Sequence, residues 1–323
     1  MNPAFSVIVL TTLIGVGQGL FLALFSSQAF TIVKVLPTQP NGYYALGGAI
    51  ALCFLGGGLV ASFFHLGHPE RAWRAATRWR TSWLSREVIA LPAVMGLVFL
   101  YAIVNGFGLE ADLYGWNIPG QVALTVGTLG VAATLTLFLC TGMIYGAIKF
   151  LQEWATPLTV VNYFLLGSAS GFTFAAAYAS FMAPNVVKFY AGWAITLTIL
   201  AFFTRAAALF RNARIKRVAT VQTAIGVRHA KVQQRSMGFM GGSYNTREYF
   251  HGRTVLFLKS VKWIFLVLVF LVPVALLWTG LPEGRPALLV AAFLAQYVGL
   301  LFERWFFFAQ ASHPQNLYYQ FVG

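Results

Sequence analysis

The sequence predicts an all-α polytopic membrane protein, a bundle of eight transmembrane helices, and three observations predict it. Hydrophobic residues make up 59% of the 323 positions and charged residues only 9%, against roughly 25% charged in an ordinary soluble domain. Eight stretches are each apolar over about the 20 residues that a helix needs to cross a hydrocarbon core. The basic residues gather in alternate connections between those stretches. The chain therefore reads as a single membrane domain over residues 1–323, with cytoplasmic segments at about 65–87 and 205–253.

The first stretch, Phe5 to Val33, has no Lys or Arg before it and is about twice as long as the apolar core of a signal peptide, so it reads as a retained helix. At a rise of about 1.5 Å per residue it outruns a hydrocarbon core of about 30 Å and must tilt or protrude. Gly15 and Gly19, four apart, offer a small face for close helix approach. Gln18 stands between them and suits either an interhelical hydrogen bond or a ligand contact. The second stretch, Tyr43 to Phe64, ends near His65, because Gly67 can terminate a helix and Pro69 cannot continue one. The third, Val88 to Asn105, begins around Ser85 as a cap, which puts Glu87 in the first turn, and Pro92 would kink it.

The fourth, fifth and sixth stretches are Pro119 to Tyr145, Leu158 to Met182 and Val187 to Thr204. Gly167 and Gly171 repeat the four-residue spacing in the fifth. The seventh, Thr254 to Thr279, contains Pro273, and Asn245 with Glu248 three residues on has the form of a capping box that would start it earlier. The eighth runs from Pro286 to Phe302.

Lys and Arg are retained on the cytoplasmic side. Eighteen of the 22 basic residues fall in the connections after the second, fourth and sixth stretches, counting Lys259 and Lys262 at the start of the seventh. The other set holds Lys34, Lys188, Arg285 and Arg304 with Glu110, Asp112, Glu283 and Glu303, and reads as the outer side, with both termini outside. Gln18 would then lie about two-thirds of the way to the cytoplasmic face, level with His65. The net charge of +14 is on this account a topology signal and not a nucleic-acid footprint.

No ionisable residue falls in the central part of any of these stretches, which argues against an ion-coupled transporter or a proton pump. Two cysteines, Cys53 and Cys140, are too few for an iron–sulfur cluster, which takes four ligands. The five histidines, His65, His68, His229, His251 and His313, lie at helix ends or in connections, so neither a haem nor another metal site is expected. The glycine-rich run GFMGGS at 238–243 follows no strand, which disfavours a phosphate cradle. Its basic surroundings suit anionic lipid headgroups, but a docking surface for a soluble partner accounts better for the segment's length and its aromatic and glycine content.

Residues 65–87, HLGHPERAWRAATRWRTSWLSRE, are the most charged stretch of the chain outside that segment. Arg71, Arg74 and Arg78 recur at helical spacing, with Trp73 and Trp79 available to an interfacial layer. On one reading His65 is a solvated helix end, Glu87 is favoured by a helix dipole and the arginines set topology. On the other, His65 and Glu87 flank one cleft between adjacent antiparallel helices. That pair suits a quinone, an apolar ligand whose carbonyls accept hydrogen bonds and whose redox change moves two protons. Such a ligand needs an apolar groove, a donor such as imidazole, and a carboxylate with access to water.

HLGHPERAWRA followed by SWLSREV resembles the His-Leu-Gly-x-Pro-x-Arg-Ala and Leu-Ser-x-Glu pattern of the membrane anchor subunits of dimethyl sulfoxide reductase and related molybdenum enzymes. VGQG around Gln18 and WATP at 154–157 are similar to that family as well. The resemblance implies a complex of three subunits in a bacterial cytoplasmic membrane: a molybdopterin catalytic subunit, an iron–sulfur subunit, and an anchor that exchanges electrons with ubiquinone or menaquinone. Iron–sulfur clusters and molybdopterin would belong to the partners, and the anchor would carry no haem. It further implies that His65 and Glu87 bind quinone and handle its protons. Arg71 and Arg86 would then orient Glu87 or contact the partner, and Gln18 is a candidate ligand contact. RSMGFMGGSYNTREYFHGR, at 235–253, looks like the anchors of cytoplasmic, quinone-reducing sulfite dehydrogenases, a subgroup of the same family, which implies electron flow from sulfite to quinone. The alternatives are the anchor of a quinol-oxidising reductase, and a structural anchor or transporter with no quinone site.

Overall fold

The computed structural model describes residues 1–111, 115, 120–229, 231–232, 249–281, 285–314 and 316. The capping pair expected at Asn245 and Glu248, and the glycine-rich run, lie outside the described residues. Eight helices are long and apolar enough to cross a membrane: α1 (Phe5–Ile32), α2 (Asn41–Phe63), α3 (Trp83–Phe107), α4 (Gln121–Gly146), α5 (Pro157–Met182), α6 (Val187–Ala213), α7 (Val255–Gly280) and α8 (Pro286–Ala309). Among the described residues there is no strand.

Local chemistry sets where the helices start. The Ser82 hydroxyl accepts from the Ser85 amide and caps α3. The helix therefore begins at Trp83, earlier than the expected start at Ser85, and Glu87 falls in its second turn, beyond the reach of the N-terminal dipole. Thr156 caps α5 ahead of Pro157 at the first helical position, where a missing amide costs nothing. In α7 a π-helical turn over Val267–Leu271 precedes Pro273, which makes room for a residue that cannot donate.

α1 and α5 form the middle of the bundle. Gly15 and Gly19 lie directly against Gly167 and Gly171: a Cβ built on Gly15 would stand 3.4 Å from the Gly167 Cα, and one on Gly19 2.9 Å from the Ser168 Cα. Only glycines allow the two backbones to come this close. α2, α4 and α8 pack around α1, and α4, α6 and α8 around α5. The other helices turn apolar side chains such as Phe99, Leu129, Phe203 and Trp278 outward, as a lipid-facing surface requires.

The placement of the termini corrects the sequence expectation. The Met1 amino group donates to the carbonyls of Ala309 and Ala311 at 3.3 and 2.7 Å, Trp154 Nε1 donates to the Phe307 carbonyl at 2.9 Å, and Arg217 to Ser312 at 2.8 Å. The start of α1 and the end of α8 thus share the face of the bundle that carries the connections after α4 and α6. The 65–87 connection, two crossings from the one after α4, is on that face too. Eight crossings return the chain to the side on which it started, so termini on the opposite face are incompatible with the basic connections. This shared face is the one that carries the basic connections. Glu303 and Arg304, expected outside, move with it, because α8 continues to Ala309.

Candidate functional site

His65 follows the last residues of α2, where its amide bonds the Ser62 carbonyl at 3.4 Å. Its imidazole is exposed and makes no hydrogen bond to a described residue, and partial burial holds its pKa below the ordinary histidine value. The next segment is a 3₁₀ run over Pro69–Arg78 in place of the α-helical surface turn expected there. Trp73 and Trp79 are exposed on it, beside Arg74 and Arg80. Glu70 holds His68 at 3.0 Å and Arg71 at 3.6 Å, all three in the open. Arg86 folds back from α3: Nε donates to the Trp79 carbonyl and Nη2 to that of Arg80, both at 2.9 Å, with the guanidinium 4.2 Å from the Trp83 ring centroid. It satisfies carbonyls that the end of a helical run leaves bare. Neither Arg71 nor Arg86 forms an ion pair with Glu87.

Glu87 is half-buried and points towards α4. Its Oε1 accepts from the Thr141 hydroxyl of α4 at 2.5 Å, and Cys140, Tyr145 and Tyr163 are within its electrostatic reach. No hydrogen bond or ion pair joins it to His65. The two candidates therefore share one end of the bundle, His65 at its surface and Glu87 half-buried.

Gln18 is 1% exposed, and its amide donates to the Thr134 carbonyl of α4 at 3.2 Å, the interhelical bond that was one of its two readings. α1 enters at the basic face, so Gln18 lies roughly 20 Å in from the helix start, near mid-bilayer and not level with His65. It also lines a cavity of about 20 Å³ with Thr11, Thr12, Thr141, Tyr163, Ser170 and Arg304. The Tyr163 hydroxyl, buried here, has no hydrogen-bond partner among the described residues.

Beyond this cavity is a charged cluster that the sequence places in connections. Arg205 Nε lies 2.7 Å from Glu303 Oε1, and Arg304 Nε lies 2.9 Å from Glu303 Oε2, with all three side chains at most 5% exposed. The Arg304 guanidinium covers the Tyr163 ring at 3.9 Å, and that of Arg205 lies 5.5 Å from the ring of Phe265. The signal that could have found the cluster is the apolar sequence after each charge, AAALF after Arg205 and WFFFA after Arg304. Both helices continue through those residues and enclose the charges.

Among the described residues no group of three or more His, Cys, Asp or Glu could hold a metal ion. The basic face carries an open groove of about 700 Å³ lined by Lys149, Phe150, Glu153, Arg217 and Thr223, among others.

Compared with known protein families, residues 1–319 match the DMSO reductase anchor subunit (DmsC). The chain is 55% identical over 325 residues to one of the subunits of the sulfite dehydrogenase of Allochromatium vinosum, with 100% of each chain covered.

Proposed function

The chain belongs to the DMSO reductase anchor subunit family, and from that premise we propose that it is the quinone-reactive anchor of a molybdopterin oxidoreductase in a bacterial cytoplasmic membrane. It passes electrons between membrane quinone and an iron–sulfur partner docked on the basic face. The full-length identity to a sulfite dehydrogenase subunit supports sulfite as the electron source, so that electrons run towards quinone. Molybdopterin and the iron–sulfur clusters belong to the partners in this reading.

The observation that carries the proposal is the Glu87 carboxylate, half-buried and fixed by Thr141, just inside the face where the His65 imidazole stands with no hydrogen-bond partner among the described residues. The surroundings fit a quinone ring. Phe63, Phe64 and Leu84 are exposed apolar side chains around His65 and the start of α3, a surface that an apolar ligand reaches from lipid. Bound there, quinone supplies a two-electron, two-proton couple. The neutral imidazole has one donor and one acceptor nitrogen, so His65 can hydrogen-bond a ring oxygen and exchange a proton with it. Thr141 occupies Oε1 of Glu87, which leaves Oε2 to take or give a proton. Arg86, tied to carbonyls, holds the 3₁₀ run against α3 and so fixes the approach to both residues.

The test is His65→Ala in the intact complex. Sulfite oxidation coupled to quinone is expected to fall about 100-fold, the scale of a lost general acid or base, while oxidation coupled to a soluble artificial acceptor is retained. Unchanged quinone-linked turnover would overturn the site.

A further inference from the structure

Ionisable side chains carried by membrane-spanning helices stand near the basic end of the bundle on three elements: Glu87 on α3, Arg205 on α6, and Glu303 with Arg304 on α8. Two guanidiniums share one carboxylate in the α6–α8 cluster, which leaves it with a net positive charge in an apolar interior. An uncompensated buried charge is costly, and ionisable groups at membrane depth mark function by default. The other carboxyl group carried by a membrane-spanning helix, among the described residues, is Glu87, half-buried against α4. Thr141 connects the two, since its hydroxyl donates to Glu87 and it lines the cavity whose other wall includes Tyr163 and Arg304. With about 20 Å³, that cavity has room for one water, which would satisfy the partnerless Tyr163 hydroxyl and a lone pair of Thr141.

We propose that the Arg205–Glu303–Arg304 cluster is a positioning group for the proton chemistry of Glu87: acting across the Thr141–Tyr163 cavity, its surplus positive charge favours Glu87 as a carboxylate. The inference rests on the reading of Glu87 as the proton-handling group of the quinone site. With Glu87 ionised, two carboxylates and two guanidiniums balance. When Glu87 Oε2 gains a proton from water the ensemble becomes positive, which drives the proton onward to a substrate oxygen and returns Glu87 to the carboxylate. The other groups around Glu87 are Cys140 and Tyr145 on α4, Tyr163 on α5 and Arg86 on its own helix; His65, at the end of α2, makes no contact with it. α1 presents no charged side chain to the cavity; Thr11, Thr12 and Gln18 are its polar contributions. Arg86, bound to two carbonyls and a tryptophan ring, contributes a constant background.

The experiment is an infrared titration of the purified complex, following the carbonyl band of protonated carboxylic acid that Glu87→Gln removes. Arg304→Gln leaves the cluster neutral and is expected to move the Glu87 titration up by on the order of one pH unit, the scale of one unit charge acting over about 10 Å at an effective dielectric constant of about 20. Glu303→Gln raises the surplus charge and is expected to move the titration down by a similar amount. The double variant Glu303→Gln/Arg304→Gln, with wild-type net charge, is expected to return it to its original position, and Arg304→Lys to leave it there. Titrations that stay put, or that move the same way in both single variants, overturn the proposal. Should Arg304→Gln fail to assemble, Arg205→Gln takes its place, because the upward move it predicts is opposite to the fall that water entering a loosened site would cause. If the infrared shifts occur while the pH profile of quinone-linked turnover does not follow them, the coupling stands and the assignment of Glu87 to the quinone site falls. If the profile depends on Glu87 but neither single variant moves it, the assignment stands and the coupling falls.

Discussion

Alanine at Gly19 tests the seam between α1 and α5 that forms one wall of the cavity beside Glu87. Its Cβ would stand 2.9 Å from the Ser168 Cα and 3.0 Å from the Gly167 carbonyl carbon, where ordinary contact starts at 3.4 Å. The Gly167 carbonyl oxygen stands closer still, so the two helices must part by about 1 Å, and a gap of that size forfeits about half of each dispersion contact along the seam. The clashing atoms are backbone and cannot rotate away, so the cost belongs near the top of the usual overpacking range, about 3 kcal/mol. Alanine recovers up to about 1 kcal/mol of helix propensity, which leaves a net loss of about 2 kcal/mol. For a chain of this length that lowers the melting midpoint by roughly 3 °C. The control is Gly56→Ala on α2, where an added Cβ meets nothing within 4 Å and the midpoint should hold or rise. The assay is thermal unfolding of the detergent-solubilised complex, followed by tryptophan fluorescence. Equal midpoints for Gly19→Ala and Gly56→Ala would refute the seam.

Thr141→Val keeps the shape of the side chain and removes the donor to Glu87. A hydrogen bond to a charged group contributes about 1.5–3 kcal/mol, so quinone-linked turnover should fall about tenfold or more with artificial-acceptor turnover intact; equal loss of both would make Thr141 a folding residue only. Burial lowers the pKa of His65 below 6.5, so the unfolded chain binds more protons than the folded one between the two values. The resulting penalty is absent above pH 6.5 and grows as the pH falls through the folded value. Melting curves of wild type and His65→Gln should converge near neutrality and separate below it, with wild type losing more stability; curves that stay parallel would contradict the shift.

The helices were legible because crossing a membrane is a demand on length and apolarity alone, which eight stretches meet. Their ends were less legible, for reasons visible in single residues. Ser82 and Ser85 both precede an apolar run and both can cap, but Trp83 and Leu84 are apolar themselves, so the helix gains two residues by starting at the earlier serine. The spans of α6 and α8 read from sequence as ending close to Arg205 and Glu303. A helix passes through a charge when another charge answers it inside the bundle, and that partner lies on a different helix about 100 residues away.

The same limit governs the candidate site. His65 and Glu87 carry a sequence pattern, because their neighbours Gly67, Pro69 and Ser85 shape the backbone around them. Thr141 carries none. It is one of several threonines in α4, and only the rotation of α4 against α3 decides that its hydroxyl, and not that of Thr134 or Thr136, meets the carboxylate. Charge counting failed for a related reason. Arg304 counts as one cation wherever it sits, but a guanidinium paired with Glu303 and covered by Tyr163 and Phe307 is not a solvated topology signal. Taken as a buried ion, it belongs with Glu87 and Thr141, and the polar interior of this membrane protein becomes a connected feature that runs from α3 through α4 and α5 to α8.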